Sequence, residues 1–310
     1  MPALSSVPKS GPSIMGVSIQ GASNIDTAAK FMAVDPYMPP TETRYIDIYT
    51  RTDGSFSYTV TSNISFVTVS SISGTIKSPV LDSDSRVKIS VDWSAAPAGT
   101  SYALLTVANG SSNKKLTLPI NNFAVPSSFK GFVESNGAVS IEAEHYGSKT
   151  DAAGVGYVTI PNYGRTLSGV TLMPVTIPSQ TTASGPKLNY NFHAFNAKTG
   201  AKVMFYLSAS LNVDPKHPLK YAFEIDDGVV KTVQPVPTYT LGTDPTGWTD
   251  AVNGNSWISS STVDINAGSH VLKVWALEPG VVFEKIVIDL GGVRSSYLGP
   301  PESRSVGGTK

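Results

Sequence analysis

Hydrophobic positions along this chain come in short runs that alternate with polar ones. Arg86-Val-Lys-Ile-Ser-Val-Asp-Trp93 is the clearest case: Val87, Ile89, Val91 and Trp93 share one face, and Lys88, Ser90 and Asp92 the other. A strict period of two is the mark of a strand half buried in an antiparallel sheet. The same alternation runs through residues 44–49, 56–60, 101–107 and 115–120. A second group of strand-like runs covers 139–144, 187–192, 202–207, 219–225, 269–277 and 281–289. No long stretch carries a helical period. The 27 Gly and 22 Pro stand between the apolar runs as turn signals. Many short strands punctuated in this way predict an all-β chain made of sandwiches.

The two groups of strands predict two domains. Residues 31–122 hold about six strands and read as an immunoglobulin-like sandwich without its disulfide. Residues 130–292, with about eight strands, suit a jelly roll. Residues 123–129, with Pro126-Ser-Ser, read as the linker between them. Residues 1–30 are expected to be a linker left over from an upstream domain. Residues 293–310 are expected to be a C-terminal tail, exposed from Pro300 onward.

Composition narrows the function classes. A chain of 310 residues can form two domains that each bury a core. Lys plus Arg and Asp plus Glu number 23 each, and no basic run is present, which argues against nucleic acid or an anionic membrane as partner. Cysteine is absent, so disulfides, thiolate metal sites and thiol nucleophiles are excluded. No apolar run approaches the ~20 residues of a membrane helix. The first eighteen residues lack the apolar core of a signal peptide, so the export signal of a secreted parent is expected elsewhere.

Several phrases in the larger domain resemble one family. Ile141-Glu-Ala-Glu-His-Tyr146 resembles the opening strand of carbohydrate-binding, galactose-binding-like jelly rolls. Residues 267–275 and 279–289 resemble their closing hairpin. More specific are Pro161-Asn-Tyr-Gly-Arg-Thr-Leu-Ser-Gly-Val-Thr-Leu-Met-Pro174 and Ser296-Tyr-Leu-Gly-Pro-Pro-Glu-Ser303. With Val34-Asp-Pro-Tyr-Met-Pro-Pro40 and Met15-Gly-Val-Ser-Ile19, they look like the C-terminal region of the xylan α-1,2-glucuronidases of glycoside hydrolase family 115. The resemblance implies an extracellular parent enzyme that removes glucuronic or 4-O-methylglucuronic acid branches from xylan. It implies a catalytic (β/α)8 barrel upstream of this region. The chain is then expected to be an accessory region, inactive alone, that supports fold, dimerisation or substrate engagement. Its partners would be xylan or a uronic-acid-bearing oligosaccharide, the catalytic domain, and a second copy in a homodimer. The alternative is a stand-alone carbohydrate-binding protein.

No catalytic residue is assigned. Glu142 and Glu144 lie two apart on an expected strand, so both carboxylates would face one way, about 6.6 Å apart by the strand rise. A glycosidase pair must instead flank the bond from opposite sides. In the jelly rolls that this domain resembles, the Glu-x-Glu strand and an Asp on the final strand hold a structural Ca2+; the matching residues are Glu142, Glu144 and Asp289. The other reading of these carboxylates is a solvated acidic face, or ion pairs with Lys273 or Lys285. For sugar binding or an interface the candidates are Asn162, Tyr163, Arg165, Trp248 and Trp257 in expected loops, since rings stack on sugar faces and amide or guanidinium groups pair with hydroxyls. The plainer reading of each aromatic is a ring folded back onto the sandwich. His145, His193, His217 and His270 are scattered, without the spacing of a zinc site.

Overall fold

The computed structural model describes residues 15–20, 31–51, 54–77, 84–110, 112–212, 214–240 and 242–308. The chain divides into two compact units, Met1–Ala124 and Val125–Lys310.

The described residues of the smaller unit form eight strands: β1 (Met15–Ile19), β2 (Tyr45–Thr50), β3 (Phe56–Ser62), β4 (Val67–Val69), β5 (Ser73–Ile76), β6 (Ser85–Val91), β7 (Gly99–Asn109) and β8 (Ser112–Asn122). They form two four-stranded sheets, β1-β2-β6-β4 and β5-β3-β7-β8. Alternation sets the faces: in β6, Val87 and Ile89 are buried while Lys88 and Ser90 are exposed. The core gathers Ile46, Ile48, Val60, Leu105, Leu118 and Ile120 between the sheets.

One expectation changes here. Of residues 1–30 only 15–20 are described, and 15–19 are no leftover linker. They form β1, antiparallel to β2 from Met15↔Thr50 to Ile19↔Ile46. Met15, Val17 and Ile19 are buried in the core. At Gly16 the Tyr49 ring lies where a Cβ would stand, so this strand needs glycine there. The partner strand lies some 25 residues away, across a segment rich in turn residues, which hid the pairing from local reading.

The larger unit contains β9 (Gly131–Val133), β10 (Ala138–Glu142), β11 (Ser148–Thr150), β12 (Gly156–Ile160), β13 (Gly169–Met173), β14 (Lys187–Ala194) and β15 (Lys198–Leu207). There follow β16 (Tyr221–Ile225), β17 (Lys231–Val233), α1 (Trp248–Asn253), β18 (Trp257–Ile265), β19 (Gly268–Ala276), β20 (Val282–Asp289) and β21 (Ser305–Val306). One sheet runs β12-β13-β20-β15-β18, with β10 also paired to β20. The other runs β17-β16-β19-β14-β9-β21, with β11 also paired to β14. Strands distant in sequence are neighbours in space, as a jelly roll requires. Aromatic rings fill the space between the sheets: Phe205 lies 4.6 Å from Tyr221 and 5.2 Å from Phe223, centroid to centroid, and Tyr221 meets Phe283 edge-on at 5.7 Å. Such pairs add about 0.5–1.5 kcal/mol each beyond the area they bury. Among the described residues no helix is long and apolar enough to cross a membrane.

The expected loose tail is instead a strap. The Ser303 amide donates to Ser140 O at 2.8 Å, and the Ser140 amide donates to Ser303 Oγ at 2.9 Å. Ser140 Oγ donates to Pro300 O at 3.1 Å. The strap thus lies along β10, and the chain then adds β21 to β9 in the opposite sheet. Pro300 and Pro301 signal a loop, but the ordering contacts come from strands more than 150 residues earlier, beyond the reach of local sequence patterns.

Candidate functional site

Polar chemistry gathers at several places in the described part of the larger unit. The first lies under the strap. Arg165, on the loop between β12 and β13, donates through Nε to Gly254 O and through Nη1 to Tyr297 O. Its guanidinium also stands 4.6 Å from the centre of the Tyr297 ring. One side chain therefore ties its own loop to the end of α1 and to the strap. The two segments most specific to the resemblance, 161–174 and 296–303, meet at this contact. Beneath it Lys285 Nζ pairs with Glu142 Oε1 at 3.1 Å and donates to Leu298 O at 3.1 Å and Pro300 O at 3.2 Å. Thr166 Oγ1 sits 2.8 Å from both Glu142 carboxyl oxygens. Glu302 accepts from the Glu142 amide and pairs with His145 Nδ1 at 2.6 Å.

This geometry separates the three carboxylates expected for calcium. In the β10–β20 register Asp289 stands opposite Ala138, whereas Glu142 stands opposite Lys285, at the other end of β10. Asp289 Oδ1 is taken by the amides of Gly291 and Val293. Glu144 lies past the end of β10, where the His145 amide closes a turn onto Glu142 O, so Glu142 and Glu144 do not share a strand face. Among the described residues no group of three or more His, Asp or Glu side chains could hold a metal ion. Calcium takes about 6–8 oxygens around one point. Here a lysine ammonium already holds the Glu142 carboxylate and two strap carbonyls, and a divalent cation in that place would meet its charge. The named set does not fit calcium; the ion-pair reading with Lys285 does fit.

Trp257 opens β18 and is 9% exposed, with Nε1 donating to Ser210 O at 2.9 Å. Trp248 sits in α1, its ring 6.0 Å from that of Trp257, against the same core. Both rings fold back onto the sandwich. Asn162 and Tyr163 stay at the surface, with the Tyr163 hydroxyl 3.0 Å from Ser208 Oγ.

The second place is a cavity of about 700 Å3 among three connections of the jelly roll: the segment after β13, the β15–β16 loop and the β19–β20 turn. Ligand sites commonly fall between about 300 and 1,000 Å3 and combine apolar walls with a few polar groups. Ile177, Leu211 and Leu219 supply walls; Ser179, Ser210, Asp214, His217 and Glu278 supply polar groups. The loops are pinned from behind. Asn212, 5% exposed, accepts from the Leu219 amide at 2.8 Å and donates to Val236 O at 3.3 Å. Trp257 holds Ser210 from beneath. Glu278 is 8% exposed, and one carboxyl oxygen accepts from Ser179 Oγ at 2.8 Å. Asp214 pairs with His217 Nδ1 at 2.8 Å; that hydrogen bond, with the Lys216 amide, holds its carboxyl below the usual carboxylate range.

The model of the glycosyl hydrolase family 115 C-terminal domain matches residues 131–302, which takes in the strap and the cavity. The chain belongs to this family. Its larger unit is thus a family 115 C-terminal domain, a carbohydrate-related accessory fold. No curated protein matches the sequence. Among solved structures, a family 115 4-O-methyl-α-glucuronidase with specificity for decorated arabinogalactans is similar at 18% identity and a TM-score of 0.32, over 46% of this chain and 17% of that one. The family 115 chain described here therefore spans under a fifth of that enzyme's length. A C-terminal family 6 carbohydrate-binding module of a laminarinase from Zobellia galactanivorans is similar at 17% identity and a TM-score of 0.32, over 49% of this chain and 98% of that one. A family 35 carbohydrate-binding module from Clostridium thermocellum gives 17% identity and a TM-score of 0.31, over 48% and 97%.

Sequence reading missed the cavity of this family 115 domain because its walls come from three separated loops. The local signals were present in Asp214-Pro-Lys-His-Pro218 and Glu278-Pro-Gly280, where charged residues stand beside turn formers. Nothing in either phrase says that they meet.

Proposed function

We propose that this chain is the non-catalytic C-terminal accessory region of an α-glucuronidase acting on (4-O-methyl)glucuronoxylan, and that its jelly roll engages the polysaccharide. The observation that carries this reading is the loop cavity within a family 115 domain: apolar walls for the C–H faces of a sugar ring, with hydroxyl, imidazole and carboxyl groups for its hydroxyls. The strap supports a structural role beside it, since Arg165 and Lys285 fix the two family-specific segments to each other and to β20. The expected partners are the polysaccharide and the catalytic domain of the same enzyme.

Purified residues 1–310, mixed with insoluble glucuronoxylan, are expected to sediment with it and to release no 4-O-methylglucuronic acid. Release above that of a mock purification would place a catalytic centre in this chain and end the accessory reading. Failure to sediment with glucuronoxylan would remove substrate engagement.

A further inference from the structure

The uronic acid branch is the part of glucuronoxylan that a family 115 enzyme would be expected to seek, yet the cavity carries the wrong charge for it. The described residues that line it include two carboxylates, Asp214 and Glu278, and no lysine or arginine. Glu278 is more than nine-tenths buried. Ser179 is its one hydrogen-bond partner among the described residues, and it occupies one carboxyl oxygen, leaving the other oxygen without a donor. That oxygen is not sealed off from the cavity, so a donor that enters can reach it. Sugar hydroxyls are donors; a second carboxylate is not.

We infer that the cavity takes neutral, hydroxyl-bearing sugar units, such as the xylose residues of the polysaccharide main chain, and rejects glucuronate. In this arrangement Glu278 accepts hydroxyl hydrogen bonds deep in the site. Ser179 and Ser210 contribute at its walls, and Ile177 and Leu219 meet the C–H faces of the ring. Asp214, oriented by His217, adds negative charge at the rim. The domain would then grip the unbranched main chain and leave the branch free. This inference rests on the carbohydrate-binding reading above and names the substrate class of that site.

The test is calorimetric titration of residues 1–310 with neutral xylo-oligosaccharides and, separately, with glucuronic acid and a singly glucuronate-substituted xylo-oligosaccharide, repeated with Glu278→Gln and Asp214→Asn. Neutral xylo-oligosaccharides are expected to bind, and free glucuronate about tenfold more weakly or worse, because like charges repel in a partly desolvated site. Glu278→Gln keeps the shape and the Ser179 contact; it should weaken the neutral ligand and narrow the gap to glucuronate. Asp214→Asn, at the exposed rim, should narrow that gap as well. Added salt should also narrow it. Glucuronate binding as well as or better than xylose units would overturn the inference while keeping the carbohydrate reading. Binding of no sugar at all would overturn both.

Discussion

Glu284 is the most exposed to refutation of the features under the strap. It sits where β20 slips register against β15, between Lys285 opposite Tyr206 and Phe283 opposite Leu207. It is 3% exposed, and its Oε2 has no hydrogen-bond partner among the described residues. Burial raises its carboxyl from the ordinary 4.5 to about 7, against the opposing effects of the Arg165 amide and guanidinium. The folded protein therefore keeps this proton over a range in which the unfolded chain has released it. Where the folded state binds more protons, stability falls as pH rises. The loss should begin near 4.5 and be complete above about 7. At about 1.4 kcal/mol per pH unit, that interval corresponds to about 3.5 kcal/mol. Glu284→Gln preserves shape but cannot ionise, so the variant should lack this part of the pH dependence. Three of the four tryptophans, Trp248, Trp257 and Trp275, belong to the larger unit, and Trp93→Phe silences the smaller one. Urea unfolding followed by fluorescence then reports on the larger unit alone. With a slope of about 2 kcal/mol per molar, the variant should gain about 1.5 M in midpoint over its parent between about pH 5 and pH 8. Parallel pH profiles for variant and parent would refute the buried, protonated Glu284.

The remaining predictions concern the strap. Lys285→Met leaves Glu142 as a buried charge without its partner, and should cost about 3–5 kcal/mol in urea unfolding; the Glu142→Met, Lys285→Met double variant should recover most of it. Arg165→Lys keeps the charge but loses the guanidinium fork that spans Gly254 O and Tyr297 O, so chymotrypsin should cut the strap near Tyr297 and Leu298 faster than in the parent, with the core fragments unchanged. Because Lys285 supplies the cation beside Glu142, EDTA should leave the melting temperature within about 1 °C of its starting value, and a rise of several degrees on adding calcium would restore a divalent site.

The parts of the fold written in nearest-neighbour patterns were legible. Val87 and Ile89 announce β6 by their period, and the apolar residues on either side of Glu284-Lys285 announce β20 as a strand. The parts written in distant pairings were not. β1 gains its meaning only opposite β2, and Ser303 only opposite Ser140. The candidate residues divide in the same way. Arg165 stands out in sequence as belonging to a distinctive phrase, but its work is to join Gly254 O to Tyr297 O. Trp248 and Trp257 look stranded in a polar stretch until α1 and β18 turn them onto the core. Glu278 and Asp214 draw no attention singly, because their significance is a shared cavity and a shared sign of charge.

The strap also sets an order of events at the ribosome. Ser140 emerges 163 residues before Ser303, the residue that completes its hydrogen bonding. At about 5–20 residues per second, β10 waits roughly 10–30 s for that contact. Among the described residues, the strands of the smaller unit pair only with one another, within the first 124 residues. That unit can close while the larger one still lacks β20, the strap and β21. During that interval β10 presents an unpaired edge to its surroundings, so nascent chains are most open to mispairing or chaperone capture just before their last strands arrive.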